Sequence, residues 1–443
     1  MQDTPSLSEA ARAIRAGTLS PVALTEHCLG VVERLDGRLN AFVTLTASLA
    51  RQAAEEAEKE IRAGRWRGPL HGIPIGIKDV IDVAGVPTTA QSRQLDGYVP
   101  TRNASAVQGL LDAGAVLMGK LTTHEFAFGT PKWGPPGPPA RNPWNLERFA
   151  GGSSSGAAVA TATGMVLGAI GTDTAGSVRS PAALCGVAGF KPVRARIDAS
   201  GVFPLARSLD TVGCLARTTE DCAALIGVDI SNGIADLAGL RIGVIRHFHE
   251  LDAPASDDAI AAIDEAVAHF RTLGCRVEDV TVAPLAEWNA VGMILLLAEA
   301  FALHEPWLRD RPERYGESLR DALLLGAGVQ AADYLQALEH RTRLAAALEA
   351  TFQDHDLLLA AIQPGEAAPL DAISKWGFIE RPSLGIPFNV SDHPALSLCC
   401  GFGRLGLPLA FQLVGRRADE MLLLRAGHAY EASTPWHSRR PGI

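Results

Sequence analysis

Two short clusters of hydroxyl residues and one lysine are the parts of this chain that could do covalent chemistry. Gly151 to Gly156 reads GGSSSG and Thr174 to Ser177 reads TAGS. Upstream, Lys78 closes the apolar run GIPIGIK. Two serines and a lysine set among small residues suit a hydroxyl nucleophile activated by an amine rather than by a histidine. The lysine is the demanding member. An exposed lysine is only ~0.04% neutral at pH 7, because its pKa is about 10.4. Burial without a counter-ion lowers that value and lets the amine act as a base. Lys78 follows Ile73, Ile75 and Ile77 and should be buried, in a chain with few lysines beside its arginines.

Each feature also has a plainer reading. Lys78 could end a strand and pair with Asp79. The serines from Ser153 to Ser155 could form a turn capping a helix from Ala157 to Thr163. Thr174–Ala175–Gly176–Ser177 could be a tight strand-to-helix connection. It could also aim backbone N–H groups into a cavity, as a developing oxyanion requires. Asp173 and Arg179 flank this turn, and we read them as a buried ion pair that holds it rigid.

The elements that must position these residues follow from the pattern of apolar runs. Up to residue 66 the chain reads as helices. Ser6 and Glu9 form a capping box with a stop at Gly17. Ser20–Pro21 opens a second helix, and a charged helix spans Ala47 to Ala63. Apolar runs then alternate with helical stretches. The runs are Ile73 to Val80, Ala115 to Met118, Val166 to Ile170, Leu240 to Ile245, Leu357 to Ile362 and Leu407 to Val414. The helical stretches include Ala104 to Ala113, Asp257 to Leu273 and Ala331 to Phe352. Apolar strands without alternation imply a sheet covered on both faces. Lys132 to Asn145 is rich in Pro and Gly and must be an irregular loop.

Composition narrows the class. The chain has 443 residues, 47% hydrophobic and 20% charged, with a formal net charge of −9. Ample apolar material for a core is present, and the acidic balance argues against nucleic-acid binding. Seven scattered cysteines with no C-x-x-C read as free thiols, including the adjacent Cys399 and Cys400. The first residues lack a basic-then-apolar leader. The longest apolar runs, such as Val291 to Ala298, fall short of the ~20 residues that span a bilayer. A cytoplasmic location without membrane contact is therefore expected.

Several motifs mimic other chemistries. Gly152-x-Ser154-x-Gly156 fits a hydrolase elbow but follows a loop, not a strand. Gly114 to Lys120 resembles a phosphate loop, yet Leu121 stands where Ser or Thr is needed. His247–Phe248–His249 could bind a metal and is read as a surface turn. His304–Glu305 is followed by Pro306, so no H-E-x-x-H occurs.

Taken together, GIPIGIKD (Gly72 to Asp79), NPW (Asn142 to Trp144), GGSSSGAAVA (Gly151 to Ala160), GTDTAGSVRSPAALCGVAGFKP (Gly171 to Pro192), SLDTVG (Ser208 to Gly213) and GLPLAFQLVGR (Gly406 to Arg416) resemble the amidase signature family. The lysine and first serine lie 75 residues apart, and the two serines 24 apart. The likeness covers nearly the whole chain. It implies a single large α/β domain, a mixed twisted sheet surrounded by helices. Residues 1–66 would be a helical segment, 67–225 a core with the catalytic residues, and 226–443 the remainder. It implies that Ser177 is the nucleophile of an acyl-enzyme. Ser153, joined to Gly152 by a cis peptide, would be the bridging serine, and Lys78 the base. The N–H groups of Thr174, Ala175, Gly176 and Ser177 would form the oxyanion hole, and Ser154 would support the triad. No metal and no organic cofactor is implied.

The resemblance also implies hydrolysis of a small-molecule carboxamide, or of a carbamate or ester. An alternative is the ammonia-releasing subunit of a glutamine-dependent amidotransferase. A homodimer is a candidate assembly. The chain departs from the family pattern at Ala175, Val193, Ala195, Asp392–His393–Pro394 and Cys399–Cys400–Gly401, which bears on the pocket and not on the triad. For the pocket, the loop Phe126 to Asn145 is expected to contribute Trp133 and Trp144, with Arg141 able to select a carboxylate.

Overall fold

The computed structural model describes residues 4–131, 137–231 and 235–443. Trp133, expected in the pocket, lies outside the described residues. Eleven strands occur among those described. They are β1 (Phe42–Leu45), β2 (Pro74–Lys78), β3 (Val116–Leu121), β4 (Gly168–Asp173), β5 (Ala188–Lys191), β6 (Thr211–Ala216), β7 (Arg241–Val244), β8 (Arg276–Asp279), β9 (Leu357–Ala361), β10 (Ala395–Phe402) and β11 (Pro408–Gly415). All join one sheet in the order β1-β3-β2-β4-β6-β5-β10-β11-β9-β7-β8.

The sheet is mixed. β2 runs parallel to both β3 and β4, and β7 runs parallel to β8 and β9. The pairs between β4 and β11 are antiparallel. β2, β4, β5, β6, β9 and β11 are buried along their whole length. That burial is the physical counterpart of apolar runs without alternation, since helices cover both faces. One continuous α/β sheet therefore runs through all three segments into which the sequence divides. Even the first segment, which reads as helices, contributes the short edge strand β1, paired antiparallel to β3.

The N-terminal helices form where their caps dictate. Leu7–Arg15 begins with the reciprocal Ser6–Glu9 capping box. Pro21–Leu39 opens with Pro at its first turn, and Ser20 accepts from the Ala23 N–H. The third helix spans Ala47–Arg62. Gly114 to Lys120 is not a phosphate loop: it leads into β3, and Lys120 is buried against Asp79 at 2.9 Å. His247–Phe248–His249 is not a surface turn. Phe248–Asp252 forms a single wide helical turn in which Phe248 and His249 are buried, and His247 pairs with Asp252 at 3.0 Å.

The helix Leu285–Asp310 was legible only as a shorter apolar run. By length and composition it could cross a membrane. Here it packs on the helices Glu317–Leu325 and Ala331–Thr351 and buries Trp288, Leu295 and His304. All seven cysteines are buried free thiols.

Candidate active site

β2 and β4 are adjacent and parallel, with Ile77 opposite Ile170. Their carboxyl ends therefore emerge side by side, where ligand sites of α/β sheets form. β2 ends on Lys78 and β4 ends on Thr172 and Asp173. The loop before the helix Ser155–Thr163 brings Ser153 and Ser154 to the same edge. Close approach continues into the first turn of that helix. A Cβ on Gly156 would come within 3.0 Å of the backbone of Ala41 and Thr122, so only glycine fits there.

Lys78 is fully buried. Its Nζ donates to Ser153 Oγ at 2.7 Å, to Thr172 Oγ1 at 2.8 Å and to the Thr172 carbonyl at 3.4 Å. It does not pair with Asp79, whose partner is Lys120. Burial pulls the Lys78 amine down to about 7, against the opposing charges of Asp173 and Asp210. A substantial neutral fraction at physiological pH follows directly.

The Gly152–Ser153 peptide is cis. Ser154 ties the loop to β4 and to the second serine cluster: its Oγ donates to the Thr172 carbonyl at 3.2 Å, and its N–H donates to the Ser177 carbonyl at 3.1 Å. Ser177 is partly exposed, on the turn between β4 and the helix Arg179–Cys185. Ser153 and Ser177 are thus joined through main chain, while their hydroxyls make no direct hydrogen bond.

Asp173 organises that turn. Its Oδ1 accepts from the Gly176 N–H at 2.9 Å and its Oδ2 from the Val178 N–H at 3.1 Å. The Arg179 guanidinium adds a two-pronged contact, Nε to Oδ2 at 3.0 Å and Nη2 to Oδ1 at 2.8 Å. Asn389 Nδ2 also donates to Oδ1 at 3.0 Å. Burial alone would raise this carboxyl. The adjoining Arg179 charge and its hydrogen bonds outweigh that and hold it well below the usual carboxylate range. Arg179 in turn reaches Gln412, Asn389 and the Gly385 carbonyl. The expected oxyanion donors are therefore not equivalent. The Gly176 N–H is taken by Asp173, and the N–H groups of Thr174, Ala175 and Ser177 have no acceptor among the described residues.

A cavity of about 530 Å³ opens over this turn. Its floor includes Gly152, Ala175, Gly176 and Ser180, and its walls are Asp252–Pro254, Ile362–Pro364 and Arg381–Gly385. Among the described residues of the segment 126–145, none lines it. Trp144 packs on Phe402 and donates its indole N–H to the Cys185 carbonyl. Phe126 is buried among Phe203, His304 and Trp307. Arg141 donates to the Leu146 carbonyl and to Glu147. The walls come instead from segments distant in sequence that carry no motif, so nothing local announced them.

His124 was also missed. It is buried, and its Nδ1 lies 3.0 Å from the Gly129 carbonyl. Its ring fills the space where a Gly152 side chain would point. Burial lowers it to about 4, so the imidazole is neutral at physiological pH.

Comparison with known proteins places this arrangement in a family. The Amidase family model matches residues 23–424. An amidase from Pseudomonas putida is 38% identical, covering 99% of this chain and 98% of that protein. A glutamyl-tRNA(Gln) amidotransferase subunit from Chloroflexus aurantiacus is 37% identical, with the same coverage. Among solved structures, a crystal structure of an amidase superposes with a TM-score of 0.89 at 33% identity, covering 97% of this chain and 99% of that one. Native peptide amidase from Stenotrophomonas maltophilia superposes with a TM-score of 0.85 at 30% identity, covering 99% and 98%. The chain belongs to the amidase signature family.

Proposed function

We propose that the protein hydrolyses a small-molecule carboxamide through an acyl-enzyme on Ser177. The observation that carries this reading is the 2.7 Å contact between a buried lysine of lowered pKa and Ser153 Oγ, beside the Ser177 turn and its cavity. Neutral Lys78 takes a proton from Ser153 as Ser153 takes one from Ser177. Ser177 Oγ attacks the amide carbonyl, and the free N–H groups of Thr174, Ala175 and Ser177 receive the developing oxyanion. The relay then returns the proton to the departing amine, and water hydrolyses the ester left on Ser177. Asp173 and Arg179 act on the turn that carries these groups, not on the substrate.

Release of ammonia or amine from a panel of amides without ATP tests this reading. Wild type should release product and Ser177→Ala should not. Mass spectrometry of quenched reactions should find the acyl adduct on the peptide containing Ser177. Equal release by both proteins overturns the nucleophile assignment.

A second reading, an ammonia-supplying component of a larger complex, draws on the 37% identity to the amidotransferase subunit. Amide hydrolysis by the isolated chain separates the two. Carbamate or ester hydrolysis on the same groups would show in the same panel. A cytoplasmic location and a homodimer belong to the hydrolytic reading, the latter checked by light scattering.

A further inference from the structure

We propose that the substrate carries a free carboxylate, received by Arg381 at the wall of the cavity. This inference rests on the hydrolytic reading above and specifies its substrate class.

Two charged side chains line the cavity, Asp252 and Arg381. They differ in what already holds them. Asp252 Oδ2 accepts from His247 Nδ1 at 3.0 Å and from the Leu285 N–H at 2.8 Å. Its charge is thus engaged in the protein. The Arg381 guanidinium has neither a salt-bridge partner nor a hydrogen-bond acceptor among the described residues. The rest of the lining is largely small or apolar, with Ala175, Ile362, Pro364 and Leu384. The cavity as a whole offers a lining of mixed polarity with one unpartnered guanidinium.

That guanidinium is not on a free-swinging loop. Two residues on, Ser383 Oγ donates to the Ala175 carbonyl at 3.1 Å. The Ser383 N–H donates to Asn289 Oδ1 at 2.7 Å, and Asn289 Nδ2 returns a bond to the Ser383 carbonyl at 3.1 Å. Arg179 Nη2 holds the Gly385 carbonyl at 3.0 Å. The wall is thus bonded to the same turn that carries Ser177. Two residues of chain span at most about 7 Å, so the backbone that carries Arg381 is held near the Ser177 turn, and its exposed side chain is left to reach along the cavity wall. A guanidinium's planar fork matches a carboxylate in two-pronged fashion. Arg141, the residue in which sequence reading placed this role, is bonded to Leu146 and Glu147 and lies away from the cavity lining.

The test compares half-amides of succinic, glutaric and adipic acid with neutral alkyl amides of matched length, and adds N-acylglycines to place the carboxylate on the amine side. Wild type should favour one carboxylate series over its neutral counterpart by about ten-fold to a hundred-fold in kcat/KM, as expected of a charged hydrogen bond. Arg381→Gln should bring the charged-to-neutral ratio of kcat/KM close to one, and Arg381→Lys should keep part of the preference. Equal rates for charged and neutral amides, or a preference that survives Arg381→Gln, overturn the proposal while leaving Ser177 hydrolysis intact. Calorimetric titration of glutarate into Ser177→Ala reads the subsite without turnover. Binding that disappears in Ser177→Ala/Arg381→Gln supports it, and no binding by Ser177→Ala at millimolar glutarate overturns it.

Discussion

Thr172 Oγ1 stands 2.8 Å from Lys78 Nζ, opposite the 2.7 Å contact to Ser153. The amine is therefore held between two hydroxyls, one from the strand it neighbours and one from the serine loop. The threonine fixes where the lysine points, because a buried amine with a single partner could rotate away from Ser153. Thr172→Val keeps the shape and removes the acceptor. It should lower kcat by about ten-fold, the worth of one hydrogen bond to a charged group. A hydrogen bond accepted from the ammonium favours the charged form, so the variant's pH–rate inflection should also move to lower pH. An unchanged profile would show that Thr172 does not orient the base.

The wild-type pH profile follows from the same lysine. As base, Lys78 must be neutral, so kcat/KM should climb as pH rises through about 7 and level off above it. Stability carries the opposite face of this arrangement. Lys78 holds its proton less tightly folded than unfolded, so between about 7 and its ordinary value of 10.5 the unfolded chain binds more protons. Stability at this position therefore rises with pH across that window. Lys78→Met should be inactive yet more stable than wild type at neutral pH, with the gap closing toward pH 10. Urea titrations at several pH values check this.

The Asp173–Arg179 pair is fully buried, and breaking it should be costly. Arg179→Met leaves the buried carboxylate without its directly paired guanidinium, a loss of about 3–5 kcal/mol in comparable cases. Asp173→Asn strands the guanidinium and should cost a similar amount. Because the folded carboxyl sits below its ordinary value, the wild-type contribution is present above about pH 4 and is lost as pH falls through the folded pKa. Denaturant midpoints of wild type and Asp173→Asn should thus converge in strong acid. Midpoints that differ equally at pH 7 and at pH 2 would contradict this account.

How much of this was legible depends on whether the signal was local. The capping box at Ser6–Glu9, the apolar strands β2, β4, β9 and β11, and Lys78, Ser153 and Ser177 themselves all lie in short, self-contained stretches. β8 was not visible because RVED is an exposed edge strand, whose charges guard against further pairing and erase any apolar run. β5 and β6 were hidden by their glycines, which are disfavoured in strands but fit where neighbouring chains approach closely. The cavity walls were illegible for a different reason. Asp252, Ile362 and Arg381 meet only because the chain after β7, the chain after β9 and the segment before β10 come together over the Ser177 turn. Pro- and Gly-rich residues around Trp144 suggested a pocket, but Trp144 spends its indole on the Cys185 carbonyl. Local rigidity there serves packing.

Gly152 in the serine loop and Gly156 in the first turn of the following helix separate a side-chain obstacle from a backbone one. A Cβ at Gly152 would lie within 3.0 Å of the His124 imidazole, whereas a Cβ at Gly156 would lie within 3.0 Å of the Ala41 carbonyl and the Thr122 backbone. Neither glycine has a positive φ, so the obstacle is steric in both cases. Overpacking of this kind costs about 1–3 kcal/mol. A side chain can be shortened and a backbone cannot. Gly152→Ala should therefore lower stability and activity, and adding His124→Ala should recover much of the stability. Gly156→Ala should be at least as damaging, and His124→Ala should not rescue it. Thermal midpoints of the two double variants against their singles provide the check. If His124→Ala fails to relieve Gly152→Ala, the imidazole is not what excludes a side chain there.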